Sequence, residues 1–262
     1  MRTVLLAAAA SALVTGSAQA ETFVIVHGAF QTAAAWDQVA EALRAGGDEV
    51  TLVDLPGRDG TMADGSDIHA LTLGAYRDAT LAAMGDQSDV VLVGHSFGGF
   101  SISAVAEAAP DRIRKLIYVA AYVPNSGESL QSLSGTDKGT KFTGENFVLA
   151  QDYSAAEVLP RDRALIFAND VESEAAQAIA DALVKEPLAP LGEPITLTEA
   201  NFGRVPKAYV ETLRDNAVSP ALQARMIERA GIGEVREIDT GHAPMATEPE
   251  ELAAILHDLA GG

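Results

Sequence analysis

The run Val90-Val91-Leu92-Val93-Gly94-His95-Ser96-Phe97-Gly98-Gly99 drives four apolar residues into a serine ringed by glycines. A serine hydroxyl is a weak nucleophile at neutral pH and attacks an acyl carbon only when a base takes its proton. The pattern G-x-S-x-G, here Gly94 to Gly98, presents such a serine. A buried strand turns at once into a helix, and positions without side chains let strand and helix approach each other. Ser96 Oγ then stands at the start of a helix, where the dipole and free N–H groups favour developing negative charge. Ser101 and Ser103 fall within the following helix and read as packing residues.

Five histidines are available as the base. His95 adjoins Ser96 inside the turn, with its side chain directed away. His27 ends an apolar run and reads as a loop-orienting residue; His69 opens a surface helix and His257 lies in the last helix. His242 differs, because "DTGHAPMATEPEE" places it in a loop after the last strand and before a helix starting near Pro249. A base of this kind needs a carboxylate to hold its tautomer. "KAYVETLRDNAV" offers Glu211 and Asp215, and only Asp215 lies past the strand, in the loop. Asp239 is the rival acid, three residues before His242 at the end of the final strand; after the fourth strand there is Asn125 and no nearby aspartate. Two backbone N–H groups must receive the oxyanion. One is that of Phe97, after the serine; the second is expected in "HGAF", from Ala29, with Phe30 as the alternative.

These residues need a frame. Phe23-Val24-Ile25-Val26, "EVTLVDLPG", "DVVLVG" and "IRKLIYVAAYV" read as four buried strands, separated by helical patterns carrying Trp36, Val39 and Leu43, then Leu73, Tyr76 and Leu81. Strand alternating with helix argues a parallel sheet with helices on both faces, an α/β fold. From about 124 to 205 the rhythm breaks into Ser/Gly/Thr clusters, one amphipathic helix near Val171 to Val184, and Pro187, Pro190, Pro194 and Pro206. It then returns with "KAYVET", "SPALQARMIERAG", "EVREID" and "EPEELAAILHDL". The block 124–205 therefore reads as a helical cap inserted in one domain, 21–262, before the strand that leads to Asp215. Its Phe142, Phe147, Leu149, Tyr153, Phe167 and Phe202 are available to line a pocket or to fill the cap's own core.

The chain has 262 residues, 48% of them hydrophobic, which suits one domain with a substantial core. Arg2, an apolar run and Ala18-Gln19-Ala20 form the layout of a secretory signal peptide over 1–20, cleaved after Ala20. The expected location is periplasmic or secreted, with no membrane insertion after removal of the leader. A formal charge of −19, or −20 once Arg2 is lost, repels nucleic acid and anionic lipid. The absence of cysteine excludes disulfides, thiolate metal sites and a cysteine nucleophile.

"VIVHGAFQTAAAWDQVAEALRAGGDEVTLVDLPG", "VGHSFGG", "AYVETLRDNAVS" and "IDTGHAPMATEPEELAAIL" together resemble the α/β-hydrolase superfamily. Within it they look most like plant methyl esterases and hydroxynitrile lyases with their bacterial esterase relatives. The resemblance covers nearly all of the chain from Phe23 and is weakest across the cap. It implies an α/β-hydrolase fold with an eight-stranded, mostly parallel sheet and cap helices over an apolar pocket. It also implies a triad in the chain order Ser96, Asp215, His242, oxyanion donors at Ala29 and Phe97, and no cofactor or metal. The lyases carry a lysine directly after the histidine and a threonine at the position of Gly28, whereas this chain has Ala243 and Gly28. The expectation is a serine esterase acting on a small apolar or aromatic ester. The alternatives are a lyase of the hydroxynitrile type and a binding homologue without catalysis.

Overall fold

The computed structural model describes residues 20–58 and 60–261. The leader expected over 1–20 thus lies, except for Ala20, outside the described residues. Four strands follow the first half of the chain: β1 (Thr22–Val26), β2 (Glu49–Val53), β3 (Val90–His95) and β4 (Ile113–Val119). Three short strands come next, β5 (Phe147–Leu149), β6 (Ala155–Val158) and β7 (Glu186–Pro187), and then β8 (Lys207–Thr212) and β9 (Glu234–Ile238). Six strands form one sheet in the order β2-β1-β3-β4-β8-β9, with every neighbouring pair parallel.

Side chains alternate across this sheet, so each face gathers its own core. Val24, Val26, Leu92, Leu116, Tyr118 and Tyr209 pack on one side. There they meet α2 (Leu73–Met84), α3 (Gly98–Ala108) and α8 (Pro220–Arg229), through Tyr76, Phe100, Ile102, Leu222 and Met226. Phe23, Ile25, Val91, Val93, Ile117 and Val210 face the other side. They are covered by α1 (Asp37–Ala45) and α10 (Pro249–Gly261), through Val39, Leu43, Leu252, Leu256 and Leu259. The two-sided covering expected from the alternating pattern is therefore present. Among the described residues no helix is long and apolar enough to cross a membrane.

The large sheet has six strands among the described residues, where the resemblance implies eight. Strands β2 and β9 are its edges, and the remaining extended segments pair with one another instead, as an antiparallel sheet of order β5-β6-β7. They lie between β4 and β8, among α4 (Leu130–Ser134), α5 (Pro160–Phe167), α6 (Ser173–Asp181) and α7 (Ala189–Gly192). The insertion is thus helical with a small sheet at its centre. Strands of three, four and two residues are too short to leave a periodic signal, and in β6, "AAEV", only Val158 favours a strand. Beyond α7 the chain rejoins the main core, where Ile195 and Val205 are buried with Leu133 and Val218. The short helix α9 (Pro244–Thr247) precedes α10.

From β1 the chain moves outward to β2 and then crosses to the opposite side of β1 as β3. The carboxyl ends of β1 and β3 flank this reversal of direction, where an open α/β sheet leaves a crevice for ligand.

Candidate active site

Strand β3 is buried over all six residues and ends at His95; Ser96, the next residue, has φ +52 and is only 8% exposed. A non-glycine residue in that region is strained and persists only when its surroundings determine it. They do so here through hydrogen bonds on both sides of the residue. Ser96 N–H donates to the Val119 carbonyl at 3.3 Å, and its own carbonyl accepts from Gly99 and Tyr122 N–H, each at 3.1 Å. The flanking glycines leave room for the packing this requires. A Cβ on Gly98 would lie 2.6 Å from the Val26 carbonyl oxygen, and one on Gly99 would lie 2.1 Å from that of Tyr122.

His242 and Asp215 come together from the loops after β9 and β8. Nδ1 of His242 donates to Asp215 Oδ2 at 2.8 Å, with both side chains buried. The carboxylate is satisfied on every side. Oδ1 accepts from Ala217 and Val218 N–H at 2.7 and 2.9 Å, and Oδ2 accepts from Thr212 Oγ1 at 2.9 Å and Gln223 Nε2 at 3.3 Å. With Nδ1 protonated and donating, Nε2 of His242 is left with its lone pair. Ser96 and His242 line the same cavity, and no direct hydrogen bond joins them in this structure. Asp239 is elsewhere, three-quarters exposed and paired with Arg214. Glu211 stays on β8, half-buried, with its carboxyl raised by burial and then by Glu237.

The other histidines take supporting positions. His27 donates from Nδ1 to the Gly28 carbonyl at 2.8 Å and accepts at Nε2 from Leu55 N–H at 3.2 Å, so it orients the loop as expected. Burial, followed by Arg58, lowers its pKa to about 4. His95 points behind the serine. Its Nε2 donates to the His242 carbonyl at 2.8 Å, and its Nδ1 faces the Gln31 side-chain amide at 2.9 Å. Burial and the adjacent His242 ring hold it well below the ordinary imidazole range. His69 and His257 pair with Asp67 and Asp48 away from the cavity.

The cavity has a volume of about 640 Å³ and is bounded at one end by Ala29, Ser96, Phe97 and His242. Among the described residues the N–H groups of Ala29 and Phe97 donate no hydrogen bond, which leaves them to receive an anion. The walls are aromatic: Phe30, Phe142, Phe147 and Phe167 cluster with centroid separations between 4.5 and 6.4 Å, and Phe167 stands edge-on to His242 at 5.6 Å. Of the six cap residues singled out in the sequence, Phe142, Phe147, Leu149 and Phe167 line the cavity. Tyr153 is 68% exposed, and Phe202 packs on the main core beneath Lys207. No lysine or arginine is among the lining residues; Lys207 Nζ donates to the carbonyls of Phe202 and Val205, and Arg204 pairs with Asp111.

Tyr122 was not identified from sequence. The apolar run "IRKLIYVAAYV" reads as one strand, but β4 stops at Val119 and Ala120 turns with φ +47. An apolar run reports burial and not pairing, so nothing in it marks Tyr122 as a cavity residue. Burial, reinforced by Asp137 and Asp215, raises its phenol further, and the hydroxyl keeps its proton as a donor.

A model of the alpha/beta hydrolase family matches residues 23–255. The chain is 30% identical over 251 residues to a pyrethroid hydrolase of Sphingobium wenxiniae, covering 90% of this chain and 86% of that one. It is 29% identical over 264 residues to methyl jasmonate esterase 1 of Vitis vinifera, covering 90% and 95%. In three dimensions it resembles an extracellular alpha/beta-hydrolase of a Paenibacillus species, itself described as sharing homology with tobacco salicylic acid binding protein 2. The TM-score is 0.72 at 26% identity, over 90% of this chain and 97% of that one. With its serine turn, parallel sheet and family match all in agreement, this chain belongs to the alpha/beta hydrolase family.

Proposed function

We propose that the protein is a serine carboxylic-ester hydrolase whose nucleophile is Ser96, base His242 and orienting acid Asp215. The observation that carries this reading is the buried His242–Asp215 pair opening, with the Ala29 and Phe97 N–H groups, onto the cavity that holds Ser96. His242 Nε2 takes the Ser96 proton as Oγ attacks the acyl carbon. The carbonyl oxygen becomes an oxyanion held by Ala29 and Phe97 N–H. His242 then gives the proton to the departing alkoxide, and the alcohol leaves an acyl group on Ser96. Water, deprotonated by the same imidazole, releases the acid and restores the serine. The names of the relatives support ester hydrolysis, and the four phenylalanines favour a small apolar or aromatic ester.

The lyase reading needs a positive group beside the departing cyanide. Ala243 follows the histidine, and the cavity walls supply no cation, so this reading is disfavoured. The test runs an aryl ester and mandelonitrile on one preparation, with Ser96→Ala as the control. A burst of phenol, its loss by on the order of 10³-fold in Ser96→Ala, and negligible cyanide are expected. Cyanide release at a rate comparable to ester turnover would overturn the assignment. Binding without any turnover would make the protein a receptor.

We also place the protein in the periplasm or outside the cell, on the leader in its sequence. Glu21 N donates to buried Asp48 Oδ1 at 3.0 Å, so a chain cut after Ala20 would set its new ammonium group against a carboxylate. Protein recovered from its own host should begin at Glu21, and a soluble cytoplasmic form beginning at Met1 would rule export out.

A further inference from the structure

The loop after β1 is held by groups that the mechanism above leaves unused. Ala29 N–H belongs to the Gly28–Ala29 peptide, whose carbonyl accepts from His27 Nδ1. The next peptide, Ala29–Phe30, is held from the insertion. Phe30 N–H donates to Glu186 Oε2 at 2.8 Å, and the Phe30 carbonyl accepts from Val184 N–H at 2.9 Å. Phe30 has φ +62, a left-handed conformation that a bulky residue keeps only when its neighbours enforce it. Both enforcing contacts come from residues 184–186, more than 150 positions along the chain.

Glu186 is fully buried and reaches this place as a charged group because Arg58 accompanies it. Arg58 meets both carboxylate oxygens, Nη1 to Oε2 and Nη2 to Oε1, the latter at 3.0 Å. Tyr76 OH donates to Oε1 at 3.4 Å and accepts from Arg58 Nη2. Gly57 admits the pair, since a Cβ there would lie 2.7 Å from Pro187 Cγ. An enclosed ion pair adds little stability over well-packed apolar side chains, so stability alone does not account for it. What the pair provides that apolar side chains cannot is an acceptor for Phe30 N–H.

We propose that Glu186, neutralised by Arg58, is a positioning residue that fixes the Ala29–Phe30 peptide and thereby aims the Ala29 N–H at the oxyanion. The oxyanion hole is then complete only when the insertion is docked on the loop after β1. This rests on the ester-hydrolase reading above.

Two double variants isolate the acceptor, because both remove the ion pair. Arg58→Met with Glu186→Gln keeps an oxygen that can accept from Phe30; Arg58→Met with Glu186→Met does not. In the Met pair kcat should fall roughly 10- to 100-fold, part of the loss seen when an oxyanion donor is removed outright, with KM within about threefold. The Ki of an aryl trifluoromethyl ketone, whose hemiketal oxyanion occupies the hole, should rise by a similar factor. The Gln pair should recover most of kcat and of that Ki. Equal kcat and equal Ki in the two pairs would overturn the proposal, since a purely structural role moves only melting temperature. Should the Met pair not fold, amide exchange in the unaltered protein decides: Phe30 N–H should be protected by about 10³-fold or more, and free exchange defeats the idea. An unaltered protein that neither cleaves the ester nor binds the ketone refutes the esterase reading itself, before any variant is compared.

Discussion

Asp215 and Asp239 are separated by what surrounds each carboxylate. Asp215 receives two backbone N–H groups, a hydroxyl, an amide and the His242 ring inside the protein, whereas Asp239 meets Arg214 at the surface. Asp215→Asn keeps the volume but offers His242 a different hydrogen-bonding partner, so the ring loses the tautomer that leaves Nε2 free. Ester turnover should fall by on the order of 10³-fold or more. Asp239→Asn removes an exposed ion pair worth no more than about 1 kcal/mol and should leave turnover within a few fold. Steady-state kinetics on the two variants checks this, and the reverse order would reassign the acid. At this scale the sequence was informative where a residue has a fixed chemical task and a fixed place relative to a strand end. Ser96, Asp215 and His242, proposed above as nucleophile, acid and base, each stand just past a strand end. Tyr122, Arg58 and Glu186 were not legible in this way, because an aromatic in an apolar run and two ordinary charges carry no local mark of their burial.

The turn from β3 into α3 works because two backbones come closer than any side chain permits. A Cβ on Gly99 would have to displace the Tyr122 carbonyl, which belongs to the main chain and cannot rotate away as a flexible side chain would. Gly99→Ala should therefore destabilise the protein by roughly 1–3 kcal/mol or more, as overpacking does. Gly233→Ala is the matched control, since a Cβ there meets nothing within 4 Å, and it should stay within about 0.5 kcal/mol of the parent. Urea melts of both variants give the comparison; equal midpoints would show that the close approach is not tight. The elements of the large sheet were legible because its strands run for five to seven residues, long enough to leave a pattern, and β8, α8, β9 and α10 follow their sequence patterns. The small sheet was not legible, because β7 exists only by pairing with β6, about thirty residues earlier.

The molecule as a whole encloses two histidines that it keeps neutral. His27 has its pKa lowered from 6.5 to about 4 by burial and then by Arg58, and His95 is also held well below the ordinary imidazole range, chiefly by burial. Between pH 6.5 and 4 the unfolded chain binds a proton at His27 that the folded chain refuses. Stability therefore declines as pH falls through that window, by about 3 kcal/mol for His27 over the full interval, with His95 acting in the same direction. Denaturant unfolding at pH 7, 5.5 and 4.5 should reveal this slope, and His27→Gln should make it shallower. An unchanged slope in the variant would assign the acid sensitivity to other groups.

The sequence by itself determined the parallel sheet, the serine turn, the loops past strand ends that carry Asp215 and His242, and the loop that carries Ala29, since each depends on neighbours in the chain. Glycines flank the serine because of the bend, and apolar runs alternate with amphipathic ones because strands lie between helices. Only the tertiary structure decided which phenylalanines face the cavity, where β4 ends, and what holds Phe30 in its left-handed conformation. Those outcomes depend on contacts between segments far apart in the chain. Glu186 illustrates the limit: its meaning lies in Phe30, 156 residues away, and in Arg58, 128 away. No local pattern can encode such pairings, because each exists only once the insertion has packed against the sheet.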